Sequence, residues 1–269
     1  MADLATMRDY LEEILNIDTG DAFIDSTYEL QLLNKAYQKS AYKYDWPQLL
    51  KRDADVLIAN VDRYPLNSDF RKFRFLFSSG SEKEETEFNN IRFDRHKYAV
   101  DQATDEYVLS ERPQTASTPY TLQNSESAGS TVVVELDTVD GLAAGEEIFI
   151  SDTSTSEFTQ IQTVDTSAET ITIKMVNSHT SGKILYRVVE LNYFQYYHII
   201  TDLSTGTDVP ALPSNTHFII PHYAAYLYYK KLEDDAKAKP QLECWDMELA
   251  EAWKAFDKNS TGAVLTFSV

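Results

Sequence analysis

The spacing of apolar residues changes twice along the chain, and these changes limit the folds that it can adopt. Leu4, Met7 and Leu11 lie three and four residues apart, which is the spacing of one apolar face of an α-helix. Comparable spacings return near the other end, in residues 219–232 and 240–256. Residues 55–200 instead contain short apolar and aromatic runs separated by polar turns, as strands do. The sequence therefore predicts helices at both ends and a β-rich middle.

Caps and prolines place the ends of the predicted helices. Ser26 followed by Glu29 is the pattern of a capping box, so a second helix is expected to begin there and to end before Pro47. Pro221 fits only the first turn of a helix, and Pro240 is expected to begin the last one. The first strands are predicted in four runs, at residues 56–64, 70–77, 91–98 and 106–109.

Residues 113–183 differ in composition from the rest of the chain. Ser and Thr make up 23 of the 69 residues from Gln114 to Gly182, and acidic residues outnumber basic ones by 10 to 2 across the whole segment. Turn signals such as Asp140-Gly141 divide the segment into short apolar runs. Strands of this length and spacing indicate a small barrel or sandwich. They are predicted at residues 131–136, 147–150, 157–164, 170–175 and 184–189.

The fold class predicted from these patterns is α+β: a helical bundle from the N- and C-terminal helices plus a β-rich middle, with an inserted small all-β barrel or sandwich. Two domains are expected. Residues 1–112 and 184–269 form a discontinuous domain, and residues 113–183 form the inserted Ser/Thr-rich acidic domain. Because two short helices alone are marginally stable, the helical ends are expected to pack together.

The net charge of −19, from 43 acidic and 24 basic residues, limits the partners of the chain. Such a surface repels phosphate backbones and anionic lipids, which argues against a basic patch for nucleic acid and against membrane association. Simple solubility or a saline environment also explains the acidity. The single cysteine, Cys244, excludes an internal disulfide, and residues 1–15 lack the apolar run of a signal peptide. A reducing cytoplasm is therefore the expected compartment.

The sequence lacks the common catalytic and metal-binding motifs. No glycine-rich phosphate loop, H-E-x-x-H motif or G-x-S-x-G elbow occurs. His217 and His222 are five residues apart and do not share a face of a straight helix, and Cys244 has no histidine near it in sequence. The acidic residues between Asp137 and Asp152 lack EF-hand spacing and are expected to be solvated. We therefore expect no enzyme, no cofactor, no metal and no catalytic residue.

Tyrosine is abundant, with 17 residues in all and dense groups within residues 37–44, 193–197 and 223–229. Tyrosine supplies a large contact area at a small cost in conformational entropy and is frequent at interface hot spots. An aromatic core is the alternative explanation. The four tyrosines of residues 223–229 do not fit on one side of a helix, so some of them are expected to contact another protein.

Four short segments follow one another along the chain: residues 33–37 (LNKAY), 45–47 (DWP), 64–72 (YPLNSDFRK) and 208–213 (DVPALP), the last followed by a predicted helix rich in Ala and Tyr. In this order they resemble segments of the head–tail adaptor (connector or head-completion) proteins of tailed bacteriophages. The resemblance covers residues 1–110 and 185–256 and leaves out the acidic insert. In that family, helices from both chain ends form a bundle that carries a β-rich portion.

The resemblance implies a structural virion protein that assembles in the host cytoplasm. In the virion it forms a neck ring of about twelve copies (a dodecamer) between the portal protein and the tail or the next neck protein. DNA passes through the channel of such a ring without specific binding, and no membrane is involved. An acidic channel lining would repel DNA and let it slide.

The end of the chain is the docking segment that the resemblance implies. Residues 258–269 partly alternate apolar and polar side chains, a pattern suited to strand addition onto another chain. This segment and the tyrosines of residues 223–229 give the expected subunit and portal interface: Lys258, Gly262, Val264, Leu265, Phe267, Val269, Tyr223, Tyr226 and Tyr229.

The insert leaves a second function open. The alternative is a carbohydrate-binding or surface-attachment protein, because tyrosines and acids on a β-module can stack on sugars and hydrogen-bond to them. The aromatic residues of the insert and its last strand are few, namely Tyr120, Phe149, Phe158 and Tyr186. This small number favours the adaptor.

Overall fold

A computed structural model describes residues 2–17, 25–91, 96–152 and 155–260, the last five of them through their backbone. These residues divide into two compact units. One unit contains the residues up to Leu50 and those from His198 onward, and the other is Lys51–Tyr197. The α-helices lie in the first unit and the sheets are built in the second.

The first unit contains four α-helices: α1 Leu4–Leu15, α2 Ser26–Lys43, α3 Ile220–Lys231 and α4 Asp235–Ser260. Helix α3 packs against the other three, so helices from both ends of the chain share one core. None of these helices combines the length and the apolar character needed to cross a bilayer, as far as the described residues go. Side chains of this core with almost no exposure are Leu4, Met7, Leu11, Leu33, Trp46, Ala224 and Leu249.

Side-chain caps begin the two N-terminal helices. Asp3 Oδ1 accepts a hydrogen bond from Thr6 N at 2.9 Å at the start of α1. Asp25 caps α2, since its Oδ1 accepts from Tyr28 N at 2.7 Å. The predicted cap at Ser26 is one residue late, because Asp25 has the extended backbone that a cap requires and Ser26 is already helical.

Helix α4 begins at Asp235, ahead of the predicted start at Pro240. Asp234 Oδ1 accepts from Lys237 N at 3.1 Å and supplies the cap. Proline lacks an N–H group, so Pro240 removes one hydrogen bond to the preceding turn. The helix continues past it to Ser260, which shows that one lost bond near its start does not end it.

The second unit contains a seven-stranded sheet with the strand order β1-β13-β3-β4-β5-β6-β2. Strands β4 and β5 pair in parallel, with Glu84 opposite Lys97, and β5 pairs antiparallel with β6. The strands are β1 Leu50–Val56, β2 Arg63–Pro65, β3 Phe70–Ser78, β4 Ser81–Glu85, β5 Lys97–Asp101, β6 Glu106–Leu109 and β13 Leu191–His198. Its core is largely aromatic and consists of Leu57, Tyr64, Phe73, Leu76, Tyr98, Tyr107, Leu109, Phe194 and Tyr196.

A six-stranded sheet with the order β7-β12-β9-β10-β11-β8 completes the unit. The strands are β7 Tyr120–Thr121, β8 Gly129–Glu135, β9 Glu147–Ser151, β10 Glu157–Asp165, β11 Thr170–Met175 and β12 Ile184–Arg187. The sheet curls, and an isolated bridge between Leu122 and Leu136 joins the segments next to its two edge strands. Its core is mainly aliphatic, with Val134, Ile148, Ile150, Ile161, Ile171, Ile173 and Leu185 among its members.

The predicted fold class is wrong. Within the described residues, 13 strands in two curled sheets outweigh four helices, so the fold is β-rich α+β and is not dominated by a helical bundle with a β-module inserted. The helices dominate the sequence pattern because their periodicity is long and regular. Strand β4 has the sequence SEKEE and gives no apolar signal at all.

The compact units do not follow the predicted domain boundaries. Both sheets belong to the single unit Lys51–Tyr197, within which residues 113–183 were expected to form a separate domain. Arg52 of β1 links the sheets: its guanidinium lies 2.8 Å from a carboxylate oxygen of Glu147 and 4.6 Å from the ring of Phe158. The independent folding of residues 113–183 stays a prediction.

Candidate functional site

The tyrosines of α3 pack against helices of their own unit. Tyr223 lies against Trp245 of α4, with ring centroids 4.6 Å apart, and against Tyr226 at 5.3 Å. Tyr229 is buried, and its hydroxyl donates to the carbonyl oxygen of Ile14 at 3.4 Å. Tyr223 and Tyr226 are half-buried and keep part of their rings at the surface. Of the three tyrosines predicted at an interface, these two are therefore open to contact with another chain.

A basic and aromatic groove adjoins the same tryptophan. It has a volume of about 320 Å³ and is lined by Lys39, Tyr42, Lys43 and Trp245. The ammonium group of Lys43 pairs with Asp246 and lies 4.3 Å from the centroid of the Trp245 ring. Two lysine side chains and two aromatic rings therefore line one groove of the helical unit, and one of the lysines is already paired with a carboxylate.

The predicted docking segment lies mostly outside the described residues. The backbone of Lys258 belongs to the last turn of α4. The structure gives the position from which the segment departs, because α4 is continuous to Ser260. The predicted interface residues beyond the described part of the chain are Gly262, Val264, Leu265, Phe267 and Val269.

Helices α3 and α4 bring three possible metal ligands together. His222 follows Pro221 in the first turn of α3, and Cys244 and Glu248 lie four residues apart on one face of α4. One ligand atom of each side chain lies within 4.8 Å of the other two, and all three side chains are half-buried. In the parts of the chain that the structure describes, this is the one group of three or more such residues.

Hydrogen bonds orient each member of this cluster. His222 Nδ1 lies 2.7 Å from Gln241 Oε1, and its Nε2 lies 3.4 Å from the hydroxyl of Tyr10. Cys244 Sγ donates to Glu248 Oε1 at 3.3 Å. An amide oxygen only accepts hydrogen bonds, so the proton of the neutral imidazole is on Nδ1 and the lone pair is on Nε2.

Burial keeps the thiol of this cluster protonated. Together with the hydrogen bond to Glu248, it raises the pKa of Cys244 to about 11. Burial also raises the pKa of Tyr10, and the charge of Glu248 adds to this effect. A protonated thiol is a poor nucleophile, so the cluster does not have the electrostatics of a thiolate catalyst.

The histidine pair considered from sequence is not a pair in the structure. His217 is completely buried, and its two ring nitrogens lie 2.9 Å and 3.0 Å from the carbonyl oxygens of Ala2 and Leu212. It holds the start of the chain against the turn before α3. His222 instead faces Gln241 and Tyr10, so the two histidines serve different contacts.

The acidic residues of the insert bind separate partners. Four of the five acidic residues between Asp137 and Asp152 take hydrogen bonds or ion pairs through their carboxylates, each from a different group. Their charge is therefore compensated locally, in addition to the solvation expected from sequence. Asp137 accepts from Thr121 N, Glu146 pairs with Arg187, Glu147 pairs with Arg52, and Asp152 pairs with Lys183 and His179.

The sequence did not predict the cluster of His222, Cys244 and Glu248, because His222 and Cys244 are 22 residues apart. Only the packing of α3 on α4 brings them together. The available signal was the four-residue spacing of Cys244 and Glu248, which places both side chains on one face of a helix. That spacing is too common to indicate a site without the facing histidine.

The chain matches no known protein-family model and no curated protein sequence.

Proposed function

We propose that this chain is a structural subunit of a tailed bacteriophage, located in the virion, that forms a head–tail adaptor ring. The ring joins the portal protein to the tail and continues the DNA channel. The observation that carries the proposal is the compact unit of α1, α2, α3 and α4, which draws its helices from both ends of a chain with a β-rich middle. Helices contributed by both chain ends are what the resemblance to adaptor proteins implies.

The segments that carry the resemblance have structural roles in this chain. Tyr37, at the end of the LNKAY segment, accepts a hydrogen bond through its hydroxyl from Ala211 N of the DVPALP segment at 2.7 Å. Trp46 of the DWP segment is completely buried and donates to the carbonyl oxygen of Ser40 at 3.1 Å. The similarity therefore concerns residues that build the helical unit rather than a surface pattern.

The YPLNSDFRK segment has a similar role in the seven-stranded sheet. Its Asn67 donates to the hydroxyl of Tyr196 at 2.9 Å, and that hydroxyl donates to Asp69 at 2.9 Å. Tyr64 lies in the aromatic core with its ring stacked on Tyr107. These contacts fix the turn between β2 and β3 to strand β13.

The contacts between subunits of the adaptor ring are best supplied by the helical unit. The groove lined by Lys39, Tyr42, Lys43 and Trp245 and the half-buried rings of α3 offer aromatic anchors, which dominate binding energy at protein interfaces. The net charge of −19 supports passage of DNA without adhesion, because like charges repel.

The carbohydrate-binding alternative gains no specific support. Tyr120 and Phe149 are buried in the insert. Phe158 is half-buried, with its ring against Arg52 and against Tyr193 at 5.6 Å. These three rings are occupied by contacts within the chain, and the fourth, Tyr186 of β12, is half-buried, so we propose no second function.

Portal binding tests the proposal. Purified chain is mixed with portal rings of the phage that encodes it, and complexes are separated by sedimentation and viewed by negative-stain electron microscopy. We expect stacked rings with the full chain. A chain ending at Ser260, which keeps all of α4, is expected to lose portal binding because it lacks the predicted docking segment.

Matched substitutions test whether portal binding depends on the apolar side chains of that segment and not only on its presence. Leu265→Ser with Phe267→Ser should weaken portal binding, whereas Thr266→Ser with Ser268→Ala, on the alternate positions, should leave it unchanged. Full portal binding by the chain that ends at Ser260 would exclude a role of residues 261–269 in docking. Absence of binding by the folded full chain would exclude the adaptor function itself.

A further inference from the structure

We infer that His222, Cys244 and Glu248 form a binding site for one Zn²⁺ ion that joins α3 to α4. The three residues supply a nitrogen, a sulfur and an oxygen, each from a side chain that zinc accepts in proteins. They come from two helices that pack directly on each other. The site is independent of the proposed adaptor function and stands on its own geometry.

The spacing of the ligand atoms is close to that of a zinc site. Ligands bound to a tetrahedral zinc at about 2.0–2.3 Å lie roughly 3.3–3.6 Å from one another. Cys244 Sγ and Glu248 Oε1 are already 3.3 Å apart, and all three ligand atoms lie within 4.8 Å of one another. The ligand atoms therefore need to approach one another by on the order of 1 Å to reach the spacing of a tetrahedral site.

The orientation of His222 is that of a metal ligand. Its Nδ1 donates to Gln241 Oε1 at 2.7 Å, so the lone pair is on Nε2, where it accepts from the Tyr10 hydroxyl at 3.4 Å, and a bound metal would replace this long hydrogen bond. Metal-binding histidines characteristically donate their second N–H group to a protein oxygen in this way. One ring nitrogen of His222 lies within 4.8 Å of a ligand atom of Cys244 and of Glu248, so the imidazole is on the same side of the helix pair as the other two ligands.

The ligand set selects zinc among common cations. A cysteine sulfur disfavours Ca²⁺ and Mg²⁺, which bind oxygen ligands, whereas one imidazole, one thiolate and one carboxylate suit Zn²⁺. On binding, the Cys244 thiol loses its proton to water and forms a sulfur–zinc bond, while Glu248 binds as a carboxylate. Three protein ligands leave the fourth tetrahedral position to a water molecule. The bound ion would cross-link the start of α3 to the middle of α4.

A single cysteine makes the site directly measurable, because alkylation of the chain reports Cys244 alone. Chain stripped with a chelator is incubated with ZnCl₂, gel-filtered and analysed for zinc by atomic emission, and its alkylation by iodoacetamide is timed with and without zinc. We expect one zinc per chain and at least about tenfold slower alkylation in its presence, because the bound thiolate is no longer free. Co²⁺ in place of zinc should give a thiolate-to-metal charge-transfer band.

Variants test each ligand against a matched control. His222→Ala and Glu248→Gln should each weaken zinc affinity by at least about tenfold, and Gln241→Ala by about 10- to 100-fold, since it removes only the orienting hydrogen bond. Glu251→Gln changes an exposed carboxylate on the same helix and should bind zinc as the unaltered chain does. Circular dichroism confirms that each variant is folded.

Two results would overturn the proposal. One is unaltered alkylation of the folded, full chain at saturating zinc, which would leave the cluster as a hydrogen-bonded contact only. The other is equal zinc uptake by Glu248→Gln and Glu251→Gln, which would show zinc bound elsewhere on the acidic surface.

Discussion

The two sheets of the unit Lys51–Tyr197 are stabilised by different kinds of side chain. In the seven-stranded sheet, Phe73 contacts the rings of Tyr98, Tyr107 and Phe194, with centroids 5.1–5.5 Å apart. The core of the six-stranded sheet is aliphatic apart from Tyr120. Both cores are buried, so they differ in the polar groups that their side chains place inside the protein.

The aromatic core carries hydroxyl groups that need partners. Tyr107 donates to Asp55 at 2.7 Å, and Tyr196 donates to Asp69 at 2.9 Å. A buried hydroxyl without a partner costs free energy, so these buried tyrosines require acceptors nearby, and in this sheet the acceptors are carboxylates. In the six-stranded sheet, the hydroxyl of Tyr120 donates to the backbone carbonyl oxygen of Asp140 at 2.9 Å, so it needs no carboxylate as a partner. The stability of the aromatic sheet is therefore expected to depend on pH, because its core requires the titratable carboxyl group of Asp55 as a partner for Tyr107.

The largest effect is expected for removal of the central ring of the aromatic core. Phe73→Ala should lower the free energy of unfolding by about 3–5 kcal/mol, because it deletes a buried ring and leaves a cavity among four other rings, those of Phe70, Tyr98, Tyr107 and Phe194. Urea denaturation followed by circular dichroism measures it. Phe88→Ala, at a ring that is 39% exposed, should cost less than about 1 kcal/mol and serves as the control. Similar losses for both would show that the aromatic core is loosely packed.

The corresponding change in the aliphatic core should be somewhat smaller. Ile173→Ala deletes a completely buried side chain of β11 and should cost about 3 kcal/mol, within the usual range of about 2–5 kcal/mol. Val133→Ala, on the neighbouring strand and 59% exposed, should change stability by no more than about 0.5 kcal/mol. Because both sheets belong to one compact unit, Phe73→Ala and Ile173→Ala are expected to shift the same transition. Two separate unfolding transitions, one for each substitution, would show that the two sheets unfold independently.

The pH dependence of the aromatic sheet is the third prediction. Burial raises the pKa of Asp55 to about 6 from 3.8, so the folded state holds this proton more tightly than the unfolded state does. The contribution of Asp55 is therefore most favourable below pH 4 and is lost as the pH rises through about 6. The difference corresponds to about 3 kcal/mol at about 1.4 kcal/mol per pKa unit.

Asp55→Asn keeps an acceptor for Tyr107 and removes the titration. Relative to the unaltered chain, it should be stabilising by about 1–3 kcal/mol at pH 8 and close to neutral at pH 4. Urea denaturation at the two pH values measures this. Equal effects of the substitution at both pH values would refute a buried, titrating Asp55.

The smallest effect is expected at Asp152, directly after strand β9 of the aliphatic sheet, and it has the opposite sign. Hydrogen bonds from Lys183 and His179 lower the pKa of Asp152, so its contribution is present above the unfolded pKa and is lost as the pH falls through the acid range. Asp152→Asn should make stability less sensitive to pH between 5 and 3, as measured by thermal denaturation. The effect is small because Lys183 stays in contact with solvent. An increase in acid sensitivity would contradict the assignment.

The strands of the insert were predictable because their signal is local. Residues 170–175 were predicted as a strand and form β11, and Gly141 and Gly182, with φ of 84° and 83°, occupy the turns that the sequence indicates. Turn glycines and alternation need no information from distant residues. The run at residues 56–64 was mispredicted because only Arg63–Pro65 pairs there, after a turn at Asn60 with φ of 64°.

The balance between sheets and helices was not predictable, because it depends on pairing across the chain. Strand β1 lies beside β13, which follows it by more than a hundred residues, and no local pattern links them. The alternation of Phe73, Phe75 and Phe77 also indicates one shared face, yet only Phe73 belongs to the aromatic core. Phe75 and Phe77 pack against Tyr193. The candidate metal cluster depends in the same way on α3 meeting α4.

The most direct test of the central claim, that this chain is an adaptor subunit, is its position in the particle. Purified virions are labelled with an antibody against the chain and imaged by electron microscopy. We expect label confined to the junction between head and tail, over a ring coaxial with the DNA channel. Label on the capsid surface or tail fibres, or none on intact and disrupted particles alike, would contradict it.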